Sequence, residues 1–225
     1  MDFGQWQNTN GMEVLWLSGP AECRISDASS RIVDLVKETH PEVQHSVLYF
    51  FCSTAPRKTP IAITFVSTIV RQLVRCSPKL EKEIATTFLR TLLDAIFSGG
   101  PIFHPEVPQF RTDDSAEVVV KKILKASSDA YWGALRAVAD IQREKGLSLI
   151  IDGLDETEHQ KHEFIRELCV FIEHLRKRPS RTSTRILLTS RPQVEIKEIL
   201  GRLPSIEYDR ERKGRIRLIY CSQDK

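Results

Sequence analysis

The amino-acid sequence predicts an α/β domain of three layers, in which a mainly parallel sheet of about five strands lies between flanking helices. Short apolar runs alternate with amphipathic stretches, a pattern typical of βαβ units. Hydrophobic residues make up 41% of the chain and charged residues 28%, which is an ordinary globular composition. A length of 225 residues is enough for one such domain with a full core.

Five apolar segments are the predicted strands, and the fifth is the weakest. They are residues 13–18, 46–52, 147–151, 185–189 and 206–208. The nearly all-apolar segment 46–52 is typical of a strand that is covered on both faces. Ligands of parallel sheets bind where the strands end. We therefore expect the functional residues to be those that follow strands, which are Gly19, Asp152, Ser190 and Arg191.

Helical spacing of apolar residues indicates the helices between these strands. The predicted helices are residues 26–37, 59–75, 80–97, 115 to about 143, 161–178 and 196–200. The fifth of them has the clearest stripe, with Ile165, Leu168 and Ile172 on one side. Ser127 and Ser128 would allow a break in the fourth.

The predicted organisation has three parts. Residues 1–12 lead into a domain over residues 13–209, and a loop rich in Gly and Pro is inserted at 98–114. Residues 210–225 form a basic tail, which we interpret as a solvated end rather than a nucleic-acid arm.

Charge and cysteine usage narrow the class of protein. The net charge of +3 gives no reason to expect specific nucleic-acid binding. Five scattered cysteines without CxxC spacing argue against disulfides or zinc and favour a reducing compartment. The polar N-terminus and the lack of a long apolar run predict a soluble protein of the cytoplasm or nucleus, with the cytoplasm preferred and no membrane partner.

The segment LIIDGLDE at residues 149–156 delivers acidic side chains to the end of a strand. Asp152 is placed to hold Mg²⁺, and Asp155 or Glu156 to orient a water molecule for attack on a phosphate. The alternative is a turn at Asp152 and Gly153 followed by solvated acids.

The segment ILLTSRP at residues 186–192 ends the next strand with Ser190 and Arg191. An arginine at this place can pair with the charge of a terminal phosphate. The alternative is a capping serine and a surface arginine.

Residues 19–26 partly match the phosphate-binding pattern GxxxxGK[ST]. Gly19 and Ser26 are in place, but Arg24 replaces the second glycine and Ile25 replaces the lysine. Glycine allows backbone amides to wrap phosphates at positive φ, which arginine tolerates poorly. Isoleucine has no charge, and Glu22 adds a negative one, so the sequence predicts a weakened grip on phosphate.

Taken together, these segments resemble the NACHT family of signalling P-loop NTPases, of the STAND class and the fungal type. LWLSGPAECRIS at residues 15–26 is similar to that family's LWLSGPAGCGKS, and VLYFFCS at 47–53, LIIDGLDE and LLTSRP follow in order. The similarity extends over roughly residues 3–217.

The resemblance implies a switch in NLR-like proteins that is governed by ATP or GTP with Mg²⁺ and acts through protein partners or self-association. It assigns roles by motif position: nucleotide binding to Gly19, Arg24, Ile25, Ser26 and Arg191, metal binding to Ser26 and Asp152, and catalysis to Asp155 and Glu156. Relatives usually add an effector region and repeats, which this sequence does not show.

Three hypotheses of function follow. In the first, the chain is a NACHT-like interaction module that is impaired in nucleotide binding and hydrolysis. In the second, it is an active ATP- or GTP-hydrolysing NTPase with an unusual loop. In the third, it is a truncated remnant without a function. A hydrolase of another class is disfavoured because the sequence has no GxSxG.

Overall fold

A computed structural model describes residue 6 and residues 12–39, 47–53, 59–76, 78–97, 116–141, 146–177, 184–207 and 217–219. The chain divides into two compact units. The first unit consists of Met1–Ala55 and Arg143–Lys225, and the second of Pro56–Gln142.

The first unit is built on one sheet of six strands. The strands are β1 (Met12–Ser18), β2 (Val47–Phe51), β3 (Leu147–Asp152), β4 (Thr184–Ser190), β5 (Ser205–Glu207) and β6 (Arg217–Ile219). Their order across the sheet is β2-β3-β4-β1-β5-β6. The first five are parallel, and β6 pairs with β5 in the antiparallel sense. The predicted parallel α/β architecture is therefore confirmed.

Three helices of this unit flank the sheet: α1 (Ile25–Thr39), α5 (Lys161–Arg176) and α6 (Val194–Leu200). The chain moves one way along the strand order through α1 and the opposite way through α5 and α6. Since parallel crossovers are right-handed, α1 covers one face of the sheet and α5 and α6 cover the other. This arrangement produces the three predicted layers.

The core between α1 and the sheet is an apolar cluster. Its buried members are Trp6, Leu15, Leu17, Val33, Val36, Val47, Ile150, Leu187 and Ile206, and Ile25 and Ile32 pack against it. Alternate residues of the strands, such as Leu149 and Leu188, are buried on the opposite face. Burial of both faces explains why these strands read as continuous apolar runs.

The second unit is helical. It contains α2 (Ile61–Cys76), α3 (Glu81–Phe97) and α4 (Ala116–Ile141). The rings of Phe65 and Trp132, both fully buried, lie 5.3 Å apart and join α2 to α4. Helix α4 runs without interruption through Ser127 and Ser128, so a break there is wrong.

Each predicted strand is present to within two residues of its predicted bounds at each end. The short strand β6 was not predicted; it lies within the residues assigned to the basic tail. The predicted loop at 98–114 and most of residues 1–12 and 210–225 lie outside the described residues, and the domain boundaries stay predictions. No helix of the described ranges is long and apolar enough to cross a membrane.

Candidate functional site

The polar residues predicted from the sequence meet at the edge where the parallel strands end. Asp152 closes β3, Ser190 closes β4 and Ser18 closes β1. The loop that follows β1 leads into α1 at the same edge. Carboxyl ends of parallel strands form the usual ligand crevice of open α/β sheets, so this edge is the candidate site.

Asp152 is buried, with 3% of its surface exposed, and it is held by two hydroxyl groups. Its Oδ1 accepts hydrogen bonds from Ser29 Oγ of α1 and from Thr189 Oγ1 of β4, each at 2.6 Å. Thr189 Oγ1 in turn accepts a bond of 3.1 Å from the Gly153 amide. The carboxylate of Asp152 therefore links α1, β3 and β4 through hydrogen bonds.

The loop after β1 has a tightly turned backbone, with Arg24 at the position of the second glycine of the phosphate-binding pattern. Ala21–Cys23 forms a single 3₁₀ turn in which the Cys23 amide donates to the Pro20 carbonyl at 3.1 Å. Arg24 follows with φ of 49° and ψ of 51°, which is the left-handed region. That conformation favours glycine, which is the residue that the phosphate-binding pattern has at this position.

Replacing Arg24 with glycine should stabilise the protein by about 0.5–1 kcal/mol, because glycine adopts the left-handed conformation without strain. The exposed contact between Arg24 and Asp27, at 3.9 Å, contributes little to offset this gain. The free energy of unfolding in urea measures the change. The matched control is Arg31→Gly on the exposed side of α1, which should lower stability by roughly 1 kcal/mol. A loss of stability in Arg24→Gly would contradict the interpretation that the backbone of Arg24 is strained.

Ile25, at the position of the expected lysine, begins α1 and packs against the apolar cluster beneath that helix. Ser26, the expected metal-binding hydroxyl, is exposed. The residue that contacts Asp152 is Ser29, one helical turn later. In the first turn of α1 the amides of Asp27 and Ala28 donate to the Arg24 carbonyl at 3.0 and 3.3 Å, and the Asp27 side chain adds a carboxylate there.

Asp155 and Arg191 pair with each other. The Arg191 amide donates to Asp155 Oδ1 at 2.9 Å, and Arg191 Nε lies 3.3 Å from Oδ2. The Asp155 side chain is 7% exposed and that of Arg191 is 55% exposed. Each carboxylate oxygen of Asp155 thus already has a partner on Arg191, which leaves less of its accepting capacity for a water.

Gly153 shapes the turn between these acids. Its φ of +72° is left-handed, and its carbonyl accepts the Glu156 amide at 2.8 Å. Glu156 is half-buried, and its side chain lies beside Gly153. Ser190 uses its hydroxyl differently, because it accepts a buried bond of 2.9 Å from Trp16 Nε1.

The structure thus brings together some predicted residues and separates others. Asp155 and Arg191 are in contact, Asp152 lies next to them along the same edge, and Ile25 and Ser26 take no part in the hydrogen bonds of Asp152. Sequence reasoning missed Ser29 and Thr189. Ser29 lies one turn after Ser26 on α1 and Thr189 directly precedes Ser190 on β4, but neither belongs to a motif that points to Asp152.

These residues fit poorly to a nucleotide with Mg²⁺. The loop presents an apolar side chain where phosphate needs a cation, and Asp27 adds a negative charge nearby. The side chain of Glu22 lies outside the described part of the chain. Within the described ranges, no group of three or more His, Cys, Asp or Glu side chains could hold a metal ion.

The fold and the site define a class: a three-layer α/β domain with its candidate site at the carboxyl edge of five parallel strands, which is compatible with a P-loop architecture. The chain belongs to the Nephrocystin 3, N-terminal family, whose pattern matches residues 1–94 and 82–191. No match was found among curated proteins.

Proposed function

We propose that this chain is a NACHT-like module of a cytoplasmic NLR-like signalling protein, which acts through protein contacts or self-association rather than through nucleotide hydrolysis. The class of protein is inferred from the resemblance to fungal-type NACHT domains. The mechanism is inferred from the residues of the phosphate-binding loop. In this proposal, the carboxyl edge of the sheet corresponds to a nucleotide-binding site that has lost its activity.

The observation that carries the proposal is the environment of Ile25. Its side chain packs against the apolar cluster between α1 and the sheet. A lysine at the corresponding place would have to reach outwards to neutralise phosphate charge, and an aliphatic side chain supplies neither charge nor donor. No interaction of Ile25 with a nucleotide can replace that contribution.

Two contacts support the loss of catalysis. Asp152 Oδ1 already accepts two hydroxyl hydrogen bonds, and Asp155 is paired with Arg191. Phosphoryl transfer depends on positioned metal, water and cations around the phosphates. Here the acids and the arginine that would serve those roles bond to the protein itself.

One observation favours the second candidate, an active NTPase with an unusual loop. Arg24 has the left-handed backbone that a phosphate-binding glycine would have, and it directly precedes the N-terminus of α1, where the helix dipole favours an anion. The exposed guanidinium of Arg24 would then supply the missing cation. This candidate requires nucleotide binding that depends on Arg24.

Titration of the natural chain with ATP and GTP, each with Mg²⁺, distinguishes the two candidates. Calorimetry should show no binding tighter than about 0.1 mM, and phosphate release should equal that of a blank reaction. Binding at or below about 1 µM with turnover would overturn the module proposal. Arg24→Ala is the companion variant, because it should abolish any such binding if Arg24 replaces the lysine.

A further inference from the structure

Two buried polar side chains lie side by side at the amino edge of the sheet, opposite the candidate site. Arg185 on β4 and Ser148 on β3 are register partners, so they point to the same face. That face is the one covered by α1, because Leu187 and Ile150, two residues further along each strand, belong to its apolar cluster. Both residues precede Thr189 and Asp152 by four positions, or about 13 Å along the strands.

Both side chains have polar atoms without partners. Arg185 is 7% exposed and Ser148 is 0% exposed. The Arg185 Nε and the Ser148 Oγ are buried and make no hydrogen bond with the residues that the structure describes. Burial lowers the pKa of the Arg185 guanidinium. A buried donor without an acceptor is costly, and the guanidinium is positively charged, so this position favours an added acceptor that carries negative charge.

The acidic residue on the neighbouring strand, Glu13, does not supply this negatively charged acceptor. Glu13 on β1 is the other register partner of Arg185. In the described part of the chain, no ion pair joins Glu13 to Arg185. A water molecule could accept from Nε and from the hydroxyl, but it would leave the positive charge uncompensated.

We propose that Arg185 and Ser148 form a binding site for a small oxyanion at the amino edge of the sheet. Arginine presents Nε and one terminal nitrogen as a fork that matches two oxygens of a carboxylate, sulfate or phosphate. The hydroxyl of Ser148, the register partner of Arg185, adds a third donor on the same face of the sheet. The site is separate from the carboxyl edge and does not rest on the function proposed there.

Solution NMR of the ¹⁵N-labelled full chain tests the site directly through the arginine Nε–Hε resonances. The resonance of Arg185 is identified by its loss in Arg185→Met. Sodium sulfate and sodium acetate are titrated separately at constant ionic strength, with sodium chloride as the blank. We expect a saturable shift of this resonance with a dissociation constant of roughly 1–10 mM. Sulfate and acetate distinguish a tetrahedral inorganic anion from a planar carboxylate.

Ser148→Ala keeps the test valid if Arg185→Met fails to fold, because removing an unpartnered buried hydroxyl does not harm packing. It should weaken anion binding about three- to tenfold, as the loss of one hydrogen bond requires. Arg202→Met, at an exposed arginine, is the matched control and should leave the titration unchanged.

Three results would overturn the proposal. The first is the absence of a saturable shift with either anion. The second is a shift that Ser148→Ala leaves unaltered. The third concerns Glu13→Gln: if that variant displaces the Arg185 resonance by itself and removes the anion response, Glu13 pairs with Arg185 in solution and no external anion is required.

Discussion

Replacing Asp152 with alanine is expected to destabilise the protein by about 2–4 kcal/mol, because two buried hydroxyl groups lose their acceptor. Ser29 and Thr189 each donate to Asp152 Oδ1 at 2.6 Å. After the substitution Ser29 can still donate to the Ile25 carbonyl, which lies 3.1 Å away. Thr189 is fully buried and has no such second acceptor among its described contacts. Urea unfolding followed by circular dichroism measures the loss.

The variant Asp152→Asn is expected to lose less stability than Asp152→Ala. An amide oxygen can accept both hydroxyl hydrogen bonds, so this variant should lose less than about 1.5 kcal/mol. Asp34→Ala, on the exposed side of α1, is the matched control and should stay within about 0.5 kcal/mol of the natural protein. A double-mutant cycle between Asp152→Asn and Thr189→Val then measures the coupling of that pair.

The outcome also decides what Asp152 does. If Asp152→Ala were neutral or stabilising, the carboxylate would be an uncompensated buried charge that is retained for a ligand, and the role as a structural tie would be wrong. A stability loss that is the same with and without Mg²⁺ would support the structural role.

Rebuilding the loop is expected to create nucleotide binding. The variant Glu22→Gly, Arg24→Gly, Ile25→Lys restores two flexible positions and one ammonium group. Its affinity for ATP or GTP should exceed that of the natural chain at least a hundredfold, or by about 2.7 kcal/mol. The backbone is prepared for this change, because Arg24 already has φ of 49°. Calorimetry measures the affinity, and circular dichroism verifies that the variant is folded.

The control for this experiment carries methionine in place of the new lysine. Glu22→Gly, Arg24→Gly, Ile25→Met has the same loop flexibility and similar apolar packing, but no positive charge. If the lysine variant bound nucleotide no better than this control, the loop would not be the only defect. The hydrogen bonds of Asp152 would then be the next obstacle to examine.

The rebuilt variant is expected to bind nucleotide without hydrolysing it. Asp155 remains paired with Arg191 in the rebuilt variant, and both of its carboxylate oxygens face that arginine. Phosphate release at the rate of a blank reaction, together with measurable binding, would separate the two defects. Turnover in the rebuilt variant would show that the pair opens readily.

The strands were predictable because their signal is local. A strand buried on both faces, such as residues 147–151, must be apolar along its whole length, and that pattern is visible without any partner. The helices were predictable for the same reason, through their period of 3.6 residues. Strand β6 was missed because it has only three residues and lies in a charged segment.

The contacts of the candidate site were only partly predictable. The sequence placed Asp152, Asp155 and Arg191 at strand ends, and the structure has them there. The partners of Asp152 were missed because Ser29 lies 123 positions away and Thr189 lies 37 positions away. Serine and threonine are common in every helix and strand, so their identity carries no signal until packing brings them to a buried carboxylate.

The sequence alone thus determined the α/β class, the approximate strands and the two departures, at Arg24 and Ile25, from the phosphate-binding pattern. Only the tertiary structure decided which contacts these two residues make. It shows Arg24 in the left-handed conformation, Ile25 packed against the apolar cluster, Asp152 bonded to two hydroxyls and Asp155 paired with Arg191. The physical reason is that apolar burial is recorded in local periodicity, whereas hydrogen bonds and ion pairs depend on which distant side chains the folded strands bring within reach.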